Sequence, residues 1–195
     1  MKILSWNVNS VRVRKNQLLY VIKKENPDII CLQETKTIDD CFPKDELEKK
    51  GYFVYKNGIQ SYNGVAIISK IKANKINSHN FCNLDDARHI QANFKNFSIH
   101  SIYVPAGGDT PDINENEKFE HKLRFLDEMA TFFKFDENQI NVICGDLNVS
   151  PNEDDVWSHK QLQNVVSHTK VEREKLIQIM NKGKLVDTTR MFISP

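Results

Sequence analysis

The sequence predicts an α/β protein, because short apolar runs typical of buried strands alternate with segments that have helical spacing. Near the start, a strand at Lys2–Val8, a helix at Gln17–Lys24 and a strand at Ile29–Leu32 follow one another closely. A strand, a helix and a strand over this length fit a parallel crossover. Two pairs of short strands and a long amphipathic segment come next, and together they complete the α/β pattern.

Composition limits the class of protein. The chain has 195 residues, of which 39% are hydrophobic and 27% charged, and its formal net charge is +1. These values fit one soluble globular domain over residues 1–195 and give no overall charge that announces nucleic acid or membrane. No run reaches membrane-spanning length, and the start does not resemble a signal peptide. We therefore expect a monomer in a reducing cytosol, with no membrane partner.

The cysteines do not suggest a metal or redox motif. None of the four forms a C-x-x-C pair, so neither a zinc site nor a thioredoxin-like motif is indicated. Two of them lie inside apolar runs and are expected to be small core residues. The four are Cys31, Cys41, Cys82 and Cys144.

The first half of the chain has clear boundaries. The helix at Gln17–Lys24 should end before Pro27, because the residue that precedes a proline is pushed out of helical geometry. A short charged helix at Lys44–Lys50 should end at Gly51. Two antiparallel strand pairs follow across polar turns. These pairs are Tyr52–Lys56 with Val65–Ser69, and Arg88–Phe94 with Phe97–Val104.

Two amphipathic helices are predicted in the second half. The longer one, Glu117–Phe135, has one apolar stripe with charges opposite. Its stripe consists of Phe119, Leu123, Leu126, Ala130 and Phe133. A strand that starts at Ile140 comes next, and a last helix, Val171–Lys182, should stop at Gly183.

Polar side chains follow several of the predicted strands. The last strand runs into Gly145-Asp146-Leu147-Asn148, where the glycine permits a sharp turn or a close approach. Asp and Asn also form ordinary turns, so this stretch alone leaves a turn and a functional site equally open. The strand ends with polar groups are Asn7, Glu34, Tyr103, and Asp146 with Asn148. If the strands lie in facing sheets, these groups can meet at one rim.

An acidic cluster of this kind predicts a particular chemistry. Carboxylates with amide neighbours, and without a thiol or a histidine pair, suit a hard cation such as Mg²⁺. Such a site favours attack by water on a phosphodiester. All six histidines are expected on the surface or on strand faces: His79, His89, His100, His121, His159 and His168.

Five blocks, in order, resemble those of the exonuclease III family, which belongs to the endonuclease/exonuclease/phosphatase superfamily. They cover essentially the whole chain. The blocks are Ser5-Trp6-Asn7-Val8-Asn9-Ser10-Val11-Arg12, Leu32-Gln33-Glu34-Thr35-Lys36, Tyr62-Asn63-Gly64-Val65-Ala66, Tyr103-Val104-Pro105 and Gly145-Asp146-Leu147-Asn148-Val149-Ser150-Pro151. The resemblance implies a four-layer α/β/β/α sandwich, two packed mixed sheets with helices outside. It also implies Mg²⁺-dependent hydrolysis, with Mn²⁺ as a substitute, of duplex DNA at nicks, 3′ ends and abasic sites.

The same resemblance assigns roles to individual residues. Glu34 is the implied metal ligand with Asn7 beside it, and Asp146 and Asn148 complete the metal site. Asp146 would align or deprotonate the attacking water, Asn148 would hold the phosphate or Asp146, and Tyr103 would lie against the scissile phosphate. Arg88 and Lys36 are the implied DNA contacts, although a lysine that follows a strand is more often simply solvated.

The sequence also departs from the family pattern. The family's later blocks, which include a closing Ser-Asp-His, are not found, and the sequence ends at Pro195. We therefore expect a domain that is C-terminally truncated relative to the family, with its second sheet incomplete at that end. The alternatives are a catalytically inactive remnant, a non-catalytic DNA-binding module on the same scaffold, or, less favoured, a relative that acts on phosphoinositides or sphingomyelin.

Overall fold

A computed structural model describes residues 1–135 and 139–192 of the chain. By its internal contacts the chain divides into two compact units, Met1–Tyr103 with Glu137–Leu147 and Val104–Asp136 with Asn148–Pro195. Within the described residues, all strands belong to the first unit, and the second unit contains three helices. The single domain over residues 1–195 stays a prediction.

The first unit contains two four-stranded sheets. Sheet A has the order β1-β2-β4-β3, and sheet B has the order β5-β6-β7-β8. The strands of sheet A are β1 (Ile3–Asn7), β2 (Ile29–Gln33), β3 (Phe53–Asn57) and β4 (Val65–Ser69). The strands of sheet B are β5 (Lys75–Asn77), β6 (His89–Asn93), β7 (Phe97–Tyr103) and β8 (Ile140–Asp146). Both sheets are mixed, because β1–β2 and β7–β8 are parallel and the other neighbours are antiparallel.

The predicted elements of this unit are present within a few residues of their expected bounds. Helix α1 (Lys15–Glu25) connects β1 and β2, so the parallel crossover is confirmed. It ends at Asn26, which takes a left-handed conformation just before Pro27. Helix α2 (Lys44–Glu48) is also present. Strand β5 was not predicted, because three largely exposed residues are too few to show a period.

Sheet A has an apolar layer on each of its faces. On one face, Leu18 and Ile22 of α1 pack with Ile30 and Leu32 of β2, and Trp6 lies against this cluster as a core residue, as predicted. The other face packs against sheet B through a second cluster. Its buried members are Ile29, Cys31, Val65, Ile67, Ile90, Ala92, Phe94 and Ile99. The alternation of inward and outward residues along β2 therefore buries both faces of this strand.

Two histidines of sheet B lie on strand faces, as predicted, and both are buried. His89 on β6 and His100 on β7 are each 1% exposed, and their rings are joined by a 2.9 Å Nε2–Nδ1 hydrogen bond. They alternate with Ile90 and Ile99, so they point away from sheet A. Burial, with the neighbouring His100 and His79, lowers the pKa of His89 to about 3, and burial lowers the pKa of His100 to about 4. Sequence period placed both on a strand face but could not show that this face is covered.

The second unit contains α3 (Glu117–Phe132), α4 (His159–Leu162) and α5 (Lys170–Gly183), and α3 packs on α5. Asn116 caps α3, and Thr169 forms a capping box with Glu172 at the start of α5. The predicted stop at Gly183 is one residue early, because Lys184 takes the left-handed conformation. No helix among the described residues is long and apolar enough to span a bilayer.

The predicted stripe on α3 needs correction. Leu123 is only partly buried, whereas Lys122, Phe125 and Met129 are buried. The predicted stripe left out Lys122 because a lysine is normally expected on the polar side of a helix. Lys122 lies one turn from Phe119 and from Leu126, on the apolar side. In α5, Glu172 is likewise buried, and His168 just before this helix is 3% exposed, so it is not a surface residue.

Candidate active site

Two carboxylates from different sheets converge on one amide in the first unit. Asn7 is the last residue of β1, Glu34 follows β2, and Asp146 is the last residue of β8. The Asn7 Nδ2 atom donates to Glu34 Oε1 at 2.7 Å and to Asp146 Oδ2 at 2.8 Å. The carboxyl ends of parallel strands thus bring together the acids that the sequence placed at strand exits.

Glu34 is held in a constrained conformation. Its φ is +53°, in the left-handed region that a glutamate rarely adopts. Lys36 has a φ of +50°. Its ammonium pairs with Glu34 Oε2 at 2.7 Å and donates a hydrogen bond to Asn9 Oδ1 at 2.7 Å. Strain of this kind costs of the order of 1 kcal/mol per residue and persists only where the surroundings enforce it.

The Tyr62-Asn63-Gly64 block helps to hold this strained backbone in place. The Thr35 amide donates to the Gly64 carbonyl at 3.1 Å, and the Lys36 amide donates to the Asn63 carbonyl at 2.9 Å. A Cβ on Gly64 would lie 2.2 Å from Thr35 Oγ1, so only glycine fits against this turn. The block therefore fixes the backbone on the C-terminal side of Glu34.

Tyr103 and Arg88 extend the cluster. The Tyr103 hydroxyl donates to Glu34. The Arg88 guanidinium lies over the Tyr103 ring at 4.9 Å from its centroid, donates to the Tyr103 carbonyl at 3.2 Å, and pairs with Asp86 through its Nε at 2.5 Å. Arg88 therefore orients the tyrosine, and its contact with DNA stays a prediction.

The electrostatics favour a charged glutamate beside a neutral tyrosine. Burial alone would raise the pKa of Glu34, but hydrogen bonds from Asn7, Lys36 and Tyr103 hold the pKa below its ordinary value of 4.5. Burial, aided by the Glu34 carboxylate, raises the pKa of Tyr103 well above 10. Near neutral pH, Tyr103 is thus a hydrogen-bond donor and Glu34 an acceptor.

Gly145 explains how Asp146 reaches this position. In the parallel pairing of β7 and β8, Gly145 lies opposite Ile102 and Asp146 opposite Tyr103. A Cβ on Gly145 would lie 2.0 Å from the Ile102 carbonyl oxygen, a distance that no side chain tolerates. The close approach predicted from the sequence is present, and it sets Asp146 beside Tyr103.

Asn148 belongs to the second unit and is described within it. Its φ is +49°, and its Nδ2 donates to the Val104 carbonyl at 2.8 Å. Its own carbonyl accepts a 2.6 Å hydrogen bond from Lys122 Nζ. The predicted role of Asn148 on a phosphate or on Asp146 stays a prediction.

The side chains of the cluster fit a hard divalent cation. Glu34 and Asp146 offer carboxylate oxygens, and Mg²⁺ is commonly bound through one or two carboxylates while it keeps several waters. Across residues 1–135 and 139–192, no group of three or more acidic, histidine or cysteine side chains is arranged to hold a metal. Asn7 Oδ1 accepts from the Asn9 amide at 3.1 Å, so Asn7 orients the two acids, and its role as a direct ligand stays a prediction.

Sequence reasoning missed Asp86, which holds the Arg88 guanidinium, and Lys122, which holds the Asn148 backbone. For Lys122 a signal exists, since a charge at helical spacing from several apolar residues marks a buried cation. Nothing in the chain pattern distinguishes Asp86 from its neighbour Asp85, because both are turn residues before a strand.

Comparison with known proteins gives consistent matches. A family model described as "Endonuclease/Exonuclease/phosphatase family" matches residues 4–181. The chain is 30% identical to an exodeoxyribonuclease of Bacillus subtilis over 97% of its own length and 75% of that protein. It is 30% identical to exodeoxyribonuclease III of Haemophilus influenzae over 80% of its own length and 60% of that protein.

A solved structure of an AP endonuclease from Archaeoglobus fulgidus is similar throughout. The TM-score is 0.89 at 32% sequence identity, and the match covers 98% of this chain and 74% of that one. This likeness confirms the predicted α/β class with two mixed sheets. The expectation of an incomplete second sheet stays a prediction.

Proposed function

The chain belongs to the endonuclease/exonuclease/phosphatase family, and from that premise we propose that it is a DNA-repair phosphodiesterase of the exodeoxyribonuclease III type. The observation that carries this proposal is the convergence of Glu34 and Asp146 on the Asn7 amide. The chain spans 60% to 75% of the length of these relatives. Their complete activity is therefore proposed for this chain and is not assigned to it from their names.

The proposed substrate is duplex DNA that is nicked, has accessible 3′ ends or contains abasic sites. The names of the relatives support these DNA substrates, since two are exodeoxyribonucleases and one is an AP endonuclease. The proposed cofactor is Mg²⁺, with Mn²⁺ as a substitute, on the donor chemistry of Glu34 and Asp146. The cytosolic location and the monomeric state predicted from the sequence remain proposals.

Each residue of the cluster has a role in the proposed reaction. Glu34 and Asp146 would hold a divalent cation, which would supply neutralisation of charge on the scissile phosphate. Asp146 accepts the proton of the attacking water and aligns it. Asn7 keeps the two carboxylates at a fixed separation, and Tyr103, whose hydroxyl donates to Glu34, would lie against the scissile phosphate. Lys36 and Arg88 are the proposed contacts with the DNA backbone.

A cleavage assay tests the proposal. The purified chain is incubated with an end-labelled duplex that has a recessed 3′ end, and with a duplex that contains an abasic-site analogue, in Mg²⁺ and in EDTA. We expect cleavage in Mg²⁺ and a loss of roughly 100-fold or more in Glu34→Gln and in Asp146→Asn. The matched control is Glu25→Gln, a change in the surface ion pair with Lys2, which should cleave like the wild type.

The same assay separates the alternatives. Cleavage that Glu34→Gln and Asp146→Asn leave unchanged would reject this site. No cleavage by the wild type, together with salt-dependent binding of the duplex, would favour the non-catalytic DNA-binding module. Neither cleavage nor binding at low salt would leave the inactive remnant and the less favoured relative that acts on phosphoinositides or sphingomyelin as the remaining alternatives.

A further inference from the structure

Lys122 is a fully buried cation in the second unit, with 0% of its side chain exposed. Helix α3 places it on the face that also buries Phe119, Phe125 and Leu126. Its ammonium is surrounded by acceptors from four parts of this unit. They are Glu172 Oε1 at 2.5 Å, the Asn148 carbonyl at 2.6 Å, the Ala106 carbonyl at 3.2 Å and Ser167 Oγ at 3.2 Å.

The partner carboxylate is equally well bound. Glu172 is 0% exposed and accepts from the Ser167 amide at 3.0 and 2.9 Å, from the Thr169 amide at 3.1 Å and from the Thr169 hydroxyl at 2.6 Å. A buried ion pair rarely stabilises a fold more than an apolar pair of the same volume, because both charges must leave water. This ion pair therefore calls for a reason beyond stability.

The groups that Lys122 holds point to that reason. Ala106 lies three residues after Tyr103 in sequence, and Asn148 lies two residues after Asp146. One ammonium thus fixes the segments that follow two residues of the proposed site. Asn148 takes a left-handed conformation, with φ of +49°, which asparagine adopts more readily than most residues, and the lysine holds its carbonyl in that conformation.

The surroundings leave Lys122 little freedom. Gly107, with φ of +93°, packs on the lysine stem, and a Cβ there would lie 2.8 Å from Lys122 Cδ and 2.9 Å from Val166 Cγ1. The Asn148 amide is fixed on its other side by the Val104 carbonyl. The backbone carbonyl of Asn148 is therefore bound to Lys122, and its side chain is bound to the Val104 carbonyl.

We propose that Lys122, neutralised by Glu172, is a positioning residue that sets the Asn148 segment in the conformation the reaction requires. This inference rests on the proposed function and extends it to a residue that does not touch the substrate. Displacement of a reacting group by about 1 Å costs on the order of 100-fold in rate. Loss of the lysine should therefore lower kcat far more than it raises KM.

The first test removes both charges, because Lys122→Met alone would leave Glu172 buried without a cation. In Lys122→Met/Glu172→Gln we expect kcat to fall by roughly 10- to 100-fold, with KM changed by less than about threefold. The matched control is Lys175→Met/Asp127→Asn, which breaks the other α3–α5 ion pair and leaves Asn148 untouched. If the first variant does not fold, Gly107→Ala, which crowds the lysine stem, takes its place.

The second test asks whether Lys122 acts through Asn148. When Lys122→Met/Glu172→Gln is added to Asn148→Ala, kcat should fall by less than about threefold beyond the value of Asn148→Ala alone, because the side chain that Lys122 positions is already absent. Full additivity of the two losses overturns the proposal. A merely structural role predicts that additivity, so the cycle separates positioning from stability.

The third test does not depend on cleavage. Hydrogen exchange of the amides of residues 147–150 should become at least about tenfold faster in Lys122→Met/Glu172→Gln and stay unchanged in the Lys175→Met/Asp127→Asn control. Unchanged exchange overturns the proposal whatever the kinetics show. If the wild type does not cleave DNA but exchange responds, the proposed function fails and the positioning of Asn148 stands.

Discussion

The buried pair His89 and His100 makes a quantitative prediction about acid stability. Both rings stay neutral in the folded chain, with pKa values of about 3 and about 4, whereas an unfolded histidine has a pKa of about 6.5. Above pH 7 neither state binds a proton there, so the pair has no effect. As the pH falls below 6.5, these histidines bind protons in the unfolded chain but not in the folded chain, so the free energy of unfolding decreases.

The magnitude follows from the width of that pH window. Each histidine contributes a slope of about 1.4 kcal/mol per pH unit between its unfolded and folded pKa values. Between pH 7 and pH 5 this amounts to about 2 kcal/mol per histidine, or about 4 kcal/mol for the pair. Since small proteins are stable by only about 5–15 kcal/mol, sheet B should be the acid-sensitive part of the first unit.

Urea unfolding at pH 7 and pH 5, in EDTA, measures this directly. The wild type should lose about 4 kcal/mol of unfolding free energy, and His100→Gln should lose only about half of that, because one titrating group is gone. Val13→Ala, a change at an exposed position without a titratable group, serves as the control and should keep the full slope. Equal slopes in all three proteins would show that the pair does not stay neutral, and would refute the reasoning.

Three further substitutions test other parts of the structure. Asn7→Leu removes the donor between the two site carboxylates, so unfolding in EDTA should show a loss of about 3 kcal/mol; a neutral result would mean that the amide does not face them. Gly145→Ala drives a Cβ into the Ile102 carbonyl and should lower Tm by about 4–8 °C, or about 2 kcal/mol; an unchanged Tm would contradict the close approach. Lys184→Gly relieves the left-handed end of α5 and should stabilise by about 1 kcal/mol in urea, whereas destabilisation would exclude that conformation.

Much of the fold was predictable because local signals agreed with the tertiary arrangement. The apolar runs of β2, β4 and β8 and the turn residues between them gave the strands and the parallel crossover. Strand β5 and helix α4 were not predicted, because three and four residues show no period. The buried positions of Lys122 and His168 were missed for a different reason, namely that their partners come from distant parts of the chain.

The site was predictable in part. Strand exits indicated Asn7, Glu34 and Asp146, and the structure brings these three together. The sequence does not reveal which side chains of the cluster contact one another. The Asn7 nitrogen faces both acids, Lys36 contacts Glu34, and Arg88 lies over Tyr103. Glu34 and Lys36 both have positive φ, which no sequence pattern reveals.

The proposed reaction depends on one physical claim, that the carboxylates of residues 34 and 146 together bind a divalent cation. Titration of the DNA-free protein with Mn²⁺, followed by the EPR signal of the free ion, measures this without any need for turnover. We expect one site in the wild type and in Glu25→Gln, and its loss in Glu34→Gln. Retention of the same site in Glu34→Gln would contradict the claim.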